Sequence, residues 1–188
     1  MTLIRAQIVC MLLAASVGAQ VNAVKAPHYT AADVQFMQGM ISHHAQAITM
    51  ANWAPSHGAS DEVRVLCARI VVSQRDEIHS MQQWLREHHE MVPDSTGGMS
   101  GMKMDMALMP GMLTPDQMAE LDRARGPDFD KLFLVYMIQH HNGALSMVQQ
   151  LFDTQGAGQD EKVFKFASDV NADQTAEINR MAKMLGAP

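Results

Sequence analysis

The sequence predicts an all-α protein, a four-helix bundle of ferritin-like shape built from two repeated helical hairpins, with a Met-rich crossover and a short extra helix between them. Three observations carry that expectation. The chain repeats itself, its apolar residues recur at helical spacing, and cap and breaker residues mark helix ends, while no stretch alternates as a strand does. The repeat is the most direct of these: DVQFMQGMISHHAQAITMA from Asp33 matches DFDKLFLVYMIQHHNGALSMV from Asp128 at an offset of 97. Met40 aligns with Met137, His43-His44 with His140-His141 and Met50 with Met147. Downstream the offset becomes 100, which pairs Gln74 with Gln174, Glu77 with Glu177, Ile78 with Ile178 and Met81 with Met181.

At the N-terminus, Arg5 precedes an apolar run from Ile8 to Ala19 and small residues ending in Val21-Asn22-Ala23, the layout of a secretory signal peptide. The run has 12 residues, whereas a spanning helix needs roughly 20. Cleavage after Ala23 and export without a stable membrane anchor are expected. Residues 1–23 are then the leader and 24–188 a single duplicated helical domain, with repeat 1 at about 30–91, the Met-rich linker and short helix at 92–126 and repeat 2 at about 128–186. Loss of Arg5 takes the formal charge from −6 to about −7, spread without blocks, which does not suit nucleic acid. Cys10 leaves with the leader, so Cys67 has no partner for an intramolecular disulfide and reads as a small buried hydrophobe.

Within repeat 1, Thr30 caps the first helix and Pro55 ends it, and the second runs from about Ser60 to Met91 with Pro93 beyond. Thr114-Pro115-Asp116-Gln117 is a capping-box pattern with Pro at the first helical position, starting a short helix that stops before Gly126-Pro127. The helices of repeat 2 lie near 128–152 and 160–185, with Gly186 and Pro188 at the end.

Helical phase turns the repeat into chemistry. Phe36, Met40, His43, Ala47 and Met50 step by 4, 3, 4, 3, the spacing of a seam facing a bundle interior. Met37, Ile41, His44, Ile48 and Ala51 form a second seam, and repeat 2 reproduces both, so all four of His43, His44, His140 and His141 face inward. On the companion helices Gln74 and Glu77, and likewise Gln174 and Glu177, share stripes with apolar residues. Burying such groups unpaired costs about 1–3 kcal/mol each. A hydrogen-bonded His/Glu core would explain one such His; two HH pairs, each with Met at −3 and +6 (Met40 and Met50, Met137 and Met147), favour metal ligands. Imidazole with thioether suits a soft or borderline ion, Cu(I) ahead of Zn(II). Glu77 and Glu177 can accept the second ring N–H of a ligating His.

The crossover adds an independent sign. With 18 Met in 188 residues, Met is over-used, and Met99, Met102, Met104, Met106, Met109 and Met112 fall at spacings of two or three among Gly and Pro, in a loop expected to be solvent-accessible. Exposed thioethers bind Cu(I) or Ag(I) without ready disulfide chemistry, an asset in an oxidising compartment. An oxidant-scavenging tract or an apolar lid are the other readings of this segment.

MISHHAQAITMA and MIQHHNGALSMV, each followed by a helix with Q-x-x-E-I-x-x-M, resemble the two halves of the domain-of-unknown-function family 305, which has a copper-binding member. The resemblance covers nearly all of residues 24–188. It implies a ferritin-like bundle, export to the bacterial periplasm or beyond the cell, and copper binding linked to resistance or homeostasis. Carried over by position, the ligands are Met40, His43, His44 and Met50, then Met137, His140, His141 and Met147, with Met81 and Met181 joining them. Gln46 stands where the family usually has Gly, and Asn179 stands in the place of His79.

The remaining histidines are less telling. His88-His89 either extend the loop site or form a solvated helix end, and His28 and His57 are expected at the surface. The expected function is sequestration or buffering of copper, without catalysis, with the metal ion as partner and a copper-accepting protein or a second copy as further candidates. The alternatives are an exported interaction module with a structural His/Glu core, and a di-iron enzyme. The second lacks the Glu-x-x-His that such bundles use.

Overall fold

The computed structural model describes residues 28–94 and 109–186. Five helices and no strand occur among them: α1 (Ala31–Asn52), α2 (Asp61–Glu87), α3 (Pro115–Arg123), α4 (Pro127–Asp153) and α5 (Glu161–Met184). The expected leader, residues 1–23, lies outside the described residues, as do Met99, Met102, Met104 and Met106.

Local chemistry sets the helix starts. Thr30 and Asp33 form a reciprocal capping box at α1, and Thr114 with Gln117 forms another at α3. Ser60 caps α2 and Asp160 caps α5, each accepting from backbone N–H groups that the first turn leaves unpaired. Asp33 also accepts from Gly158 N at 2.6 Å, tying the start of α1 to the turn between α4 and α5. Trp84 Nε1 donates to Asp160 at 3.1 Å, tying the end of α2 to the start of α5.

The expected end of α2 at Met91 is corrected to Glu87. His89 adopts the left-handed conformation, φ 57°. Its N–H donates to Arg86 O and that of Glu90 to Leu85 O, a Schellman ending with His where Gly is usual. His88 stacks on Trp84, meets Tyr29 edge-on and is thereby committed to packing.

The α1–α2 and α4–α5 hairpins meet through α1 and α4, whose matched His43 and His140 face each other; Phe36 and Met40 of α1 share a cluster with Met147 and Leu151 near the end of α4, so α1 runs antiparallel to α4. Two apolar clusters result. One gathers Met37, Met40, Ile41, Met81, Trp84 and Met147; the other gathers Met50, Leu66, Phe129, Phe133, Met137 and Met181. Each draws on both repeats. The expected surface place of His57 is also corrected: it is 5% exposed, lies against Trp53 and Phe129 and engages the Asp122 carbonyl through Nε2 at 2.9 Å. It fastens the α1–α2 turn to α3.

Candidate metal centre

Between the two apolar clusters lies a polar layer. His43 and His44 on α1, His140 and His141 on α4, Gln74 on α2 and Gln174 on α5 are all buried, the four imidazoles completely. Glu77 and Glu177, one turn beyond the glutamines, are largely covered, with side chains 17% and 23% exposed. The inward phase predicted for these residues is what the structure has. His43 and His140, equivalent in the two repeats, bring their rings within 3.8 Å centroid to centroid at an interplanar angle of 40°.

Three of the four rings have a defined Nε2 partner. His43 Nε2 lies 3.0 Å from the Pro110 carbonyl; a carbonyl only accepts, so Nε2 carries the proton and Nδ1 the lone pair. His141 Nε2 donates to Glu177 Oε2 at 2.6 Å. His44 Nε2 lies 2.6 Å from Glu77 Oε2, the same pairing, although the atoms are not aligned for a hydrogen bond. Nδ1 of His43, His44 and His141 is buried without a partner in every case. Neither nitrogen of His140 has a formed hydrogen bond, the neighbouring His43 carbonyl being only a weak influence. Both amide atoms of Gln74 and the carbonyl oxygen of Gln174 are likewise unpaired.

Electrostatics keeps the central pair neutral. Burial first, then neighbouring His44, pushes His43 down from the ordinary 6.5 to about 3, against the opposing pull of the Pro110 carbonyl. Burial and then His43, His141 and His44 hold His140 well below its ordinary value. Neutral imidazole with an unshared Nδ1 pair is the form that binds a metal ion. Cys67 is different: burial pushes its thiol up to about 12, with Asp130 adding to the effect. It is a buried thiol, not a thiolate ligand.

The thioethers are arranged across the repeats. Met40 and Met50 flank the same HH pair in sequence, yet they lie in different clusters. Met40 shares its cluster with Met81 and Met147, and Met50 shares its own with Met137 and Met181. All six are buried, three on each side of the histidine layer. Among the described residues no three His, Cys, Asp or Glu side chains are grouped as a metal site by themselves. A soft ion held here would draw on thioether as well as imidazole, a donor set that fits copper or silver.

The solvent-accessible loop expected for the crossover methionines is corrected for its last part. Met112 is buried, and Met109 packs on the first apolar cluster. Residues 109–113 form a strap between α1 and α4. Gln46, seen in the sequence only as a departure from the family, holds it by two bonds, Nε2 to Leu113 O at 3.1 Å and Leu113 N to Oε1 at 2.8 Å. Gly143 makes room for it: a Cβ there would lie 2.1 Å from Pro110 O. Pro110 and Gly143 were not singled out in the sequence. The one signal was the unmatched Gln46 and Gly143 at the repeat offset.

A family model described as Domain of unknown function (DUF305) matches residues 33–185. An uncharacterized protein, L153, of Acanthamoeba polyphaga mimivirus is 38% identical over 55 residues, 29% of this chain and 36% of that protein. The matched segment thus spans about a third of that relative. The crystal structure of a DUF305 fragment from Deinococcus radiodurans is similar with a TM-score of 0.71 and 28% identity, covering 84% of this chain and 97% of that one. CopM in its Cu(I)-bound form is similar with a TM-score of 0.60 and 27% identity, over 81% of this chain and 94% of that one. CopM has also been solved in Cu(II)-bound, Ag-bound and apo forms. With four-fifths of its length inside the matching model, the chain belongs to the DUF305 family.

Proposed function

We propose that this protein captures and holds copper, with Cu(I) as the favoured state, Ag(I) as a mimic and Zn(II) a poorer fit, and that it buffers the ion without catalysing a reaction. The observation that carries this reading is the buried histidine layer. Four buried imidazoles keep six ring nitrogens without a hydrogen bond, one of them His44 Nε2 beside Glu77, at roughly 1–3 kcal/mol for each unpaired polar atom, between two triads of buried methionine. A hydrogen-bonded structural core would pair those atoms; a metal ion gives them a purpose. Nδ1 of His43, His44 and His141 and one nitrogen of His140 would hold the ion together with thioethers from Met40, Met81 and Met147 on one side or Met50, Met137 and Met181 on the other. Glu177 fixes the ring orientation of His141 by taking its opposite N–H, and Glu77 stands 2.6 Å from His44 Nε2 for the same role. The solved copper and silver forms of CopM support the same reading.

Met99, Met102, Met104 and Met106 are proposed to collect Cu(I) ahead of the bundle. Export, to the periplasm or outside the cell, rests on the leader pattern. Among the described residues no helix is long and apolar enough to cross a membrane.

Anaerobic competition for Cu(I) against a coloured chelator tests the reading. The wild type should withdraw copper from the chelator. A variant with His43, His44, His140 and His141 changed to Ala should lose at least 100-fold in affinity while keeping its helical circular dichroism. Substitution of the six crossover methionines by Leu should slow uptake more than it weakens holding. No competition by the folded wild type would reject copper and leave the layer as a structural core.

A further inference from the structure

The strap at residues 109–113 crosses the histidine layer along the groove between α1 and α4, and the two helices receive it by opposite means. Residue 46 lies one turn beyond His43 and residue 143 one turn beyond His140, at matched positions of the repeat. On α1 the Gln46 amide grips both the N–H and the carbonyl of Leu113. On α4 the absence of a side chain at Gly143 lets the backbone through, since a Cβ would lie 2.5 Å from the Gly111 Cα as well as 2.1 Å from Pro110 O. Gly111 itself has φ +75°, a conformation that favours glycine. Gln139 of α4 adds a longer bond to the Gly111 carbonyl at 3.4 Å.

The outcome is one-sided. The Pro110 carbonyl is delivered to His43 Nε2 and not to His140. We infer that Gln46 and Gly143 are positioning residues: together they seat the Pro110 carbonyl against His43, fix that ring as the Nε2–H tautomer and so reserve Nδ1 as its ligand atom, while His140 stays unassigned. The purpose of this arrangement rests on the copper reading, but the tautomer itself does not. Outer hydrogen-bond partners of this kind orient a ligand and set which nitrogen carries the proton. Here a backbone carbonyl does for His43 what the Glu177 carboxylate does for His141.

The test uses the intact, metal-free protein. Long-range proton–nitrogen correlation of the imidazoles, assigned through single histidine variants, should show His43 protonated at Nε2, and the Leu113 amide should exchange slowly with solvent. Gln46→Gly, which copies the residue at the matched position, should raise Leu113 exchange at least tenfold and convert His43 to a tautomer mixture. Gln46→Glu keeps the acceptor for Leu113 N and should hold an intermediate place; it also serves if the glycine variant does not fold. A His43 that remains Nε2–H with unchanged Leu113 exchange in folded variants would overturn the inference. Failure of the wild type to bind Cu(I) would overturn the copper reading and leave the positioning result standing.

Discussion

Repeat 1 and repeat 2 carry the same HH motif on helices of the same phase, yet their histidines have different surroundings. In repeat 1, His43 is held by a backbone carbonyl from outside the repeat, and His44 meets Glu77 at 2.6 Å out of alignment. In repeat 2, His140 has no formed hydrogen bond, and His141 meets Glu177 in good geometry at the same distance. Duplication supplies a symmetric scaffold with paired histidines. One unduplicated segment, the strap, breaks the symmetry at its centre, and a Gln-for-Gly difference at a single matched position tells the strap which side to grip.

The largest effect expected of this comparison is in acid. Folding lowers His43 to about 3 and His140 well below 6.5, so the unfolded chain takes up these protons first. Stability is therefore full above pH 6.5 and is lost as the pH falls toward 3. By urea denaturation, the metal-free protein should be less stable at pH 5 than at pH 7.5 by about 2 kcal/mol for each of the two rings. His43→Gln and His140→Gln should each remove about half of that dependence. Equal stability at both pH values would mean that burial does not hold the two rings neutral.

Next in size is the seat of the strap. Gly143→Ala puts a methyl group into backbone and should cost about 1–3 kcal/mol in thermal unfolding, or expel the strap. Gly39→Ala on α1 meets only the ends of Met147 and Met109 at 3.4 and 3.5 Å. Those flexible ends can give way, and alanine favours a helix by roughly 0.5–1 kcal/mol over glycine, so this variant should be neutral or slightly stabilising. Equal costs for the two would remove the asymmetry proposed for α1 and α4. The smallest effect separates the carboxylates: Glu177→Gln should weaken Cu(I) binding by about tenfold, the lower end for an outer-shell partner, and Glu77→Gln by less. The reverse order would show that the His44–Glu77 pair comes into alignment when metal binds.

Much of this was legible in the sequence because the governing signals are local. Thr30 and Thr114 cap the helices they were expected to cap, the second helix starts beside Ser60 as expected, and the 4, 3, 4, 3 spacing put His43 and His140 inside. The end of α2 was misplaced because His89 takes a left-handed turn that glycine usually marks. His57 was misplaced because its partners, Trp53, Phe129 and Asp122, converge only in three dimensions. The grouping of Met40 with Met147 and of Met50 with Met137 was hidden for the same reason. It follows from the antiparallel packing of α1 on α4, which pairs the start of one repeat's motif with the end of the other's. The strap left one trace, the unmatched Gln46, whose meaning depends on a backbone 67 residues away.

The most direct test of the central claim is the coordination of copper itself. X-ray absorption at the copper edge, on the intact protein loaded with one equivalent of Cu(I) without oxygen, should show imidazole nitrogen and thioether sulfur together. The imidazole contribution should disappear in the variant lacking all four layer histidines. An all-sulfur sphere that is the same in wild type and variant would place the ion on methionines alone and contradict a histidine-layer site.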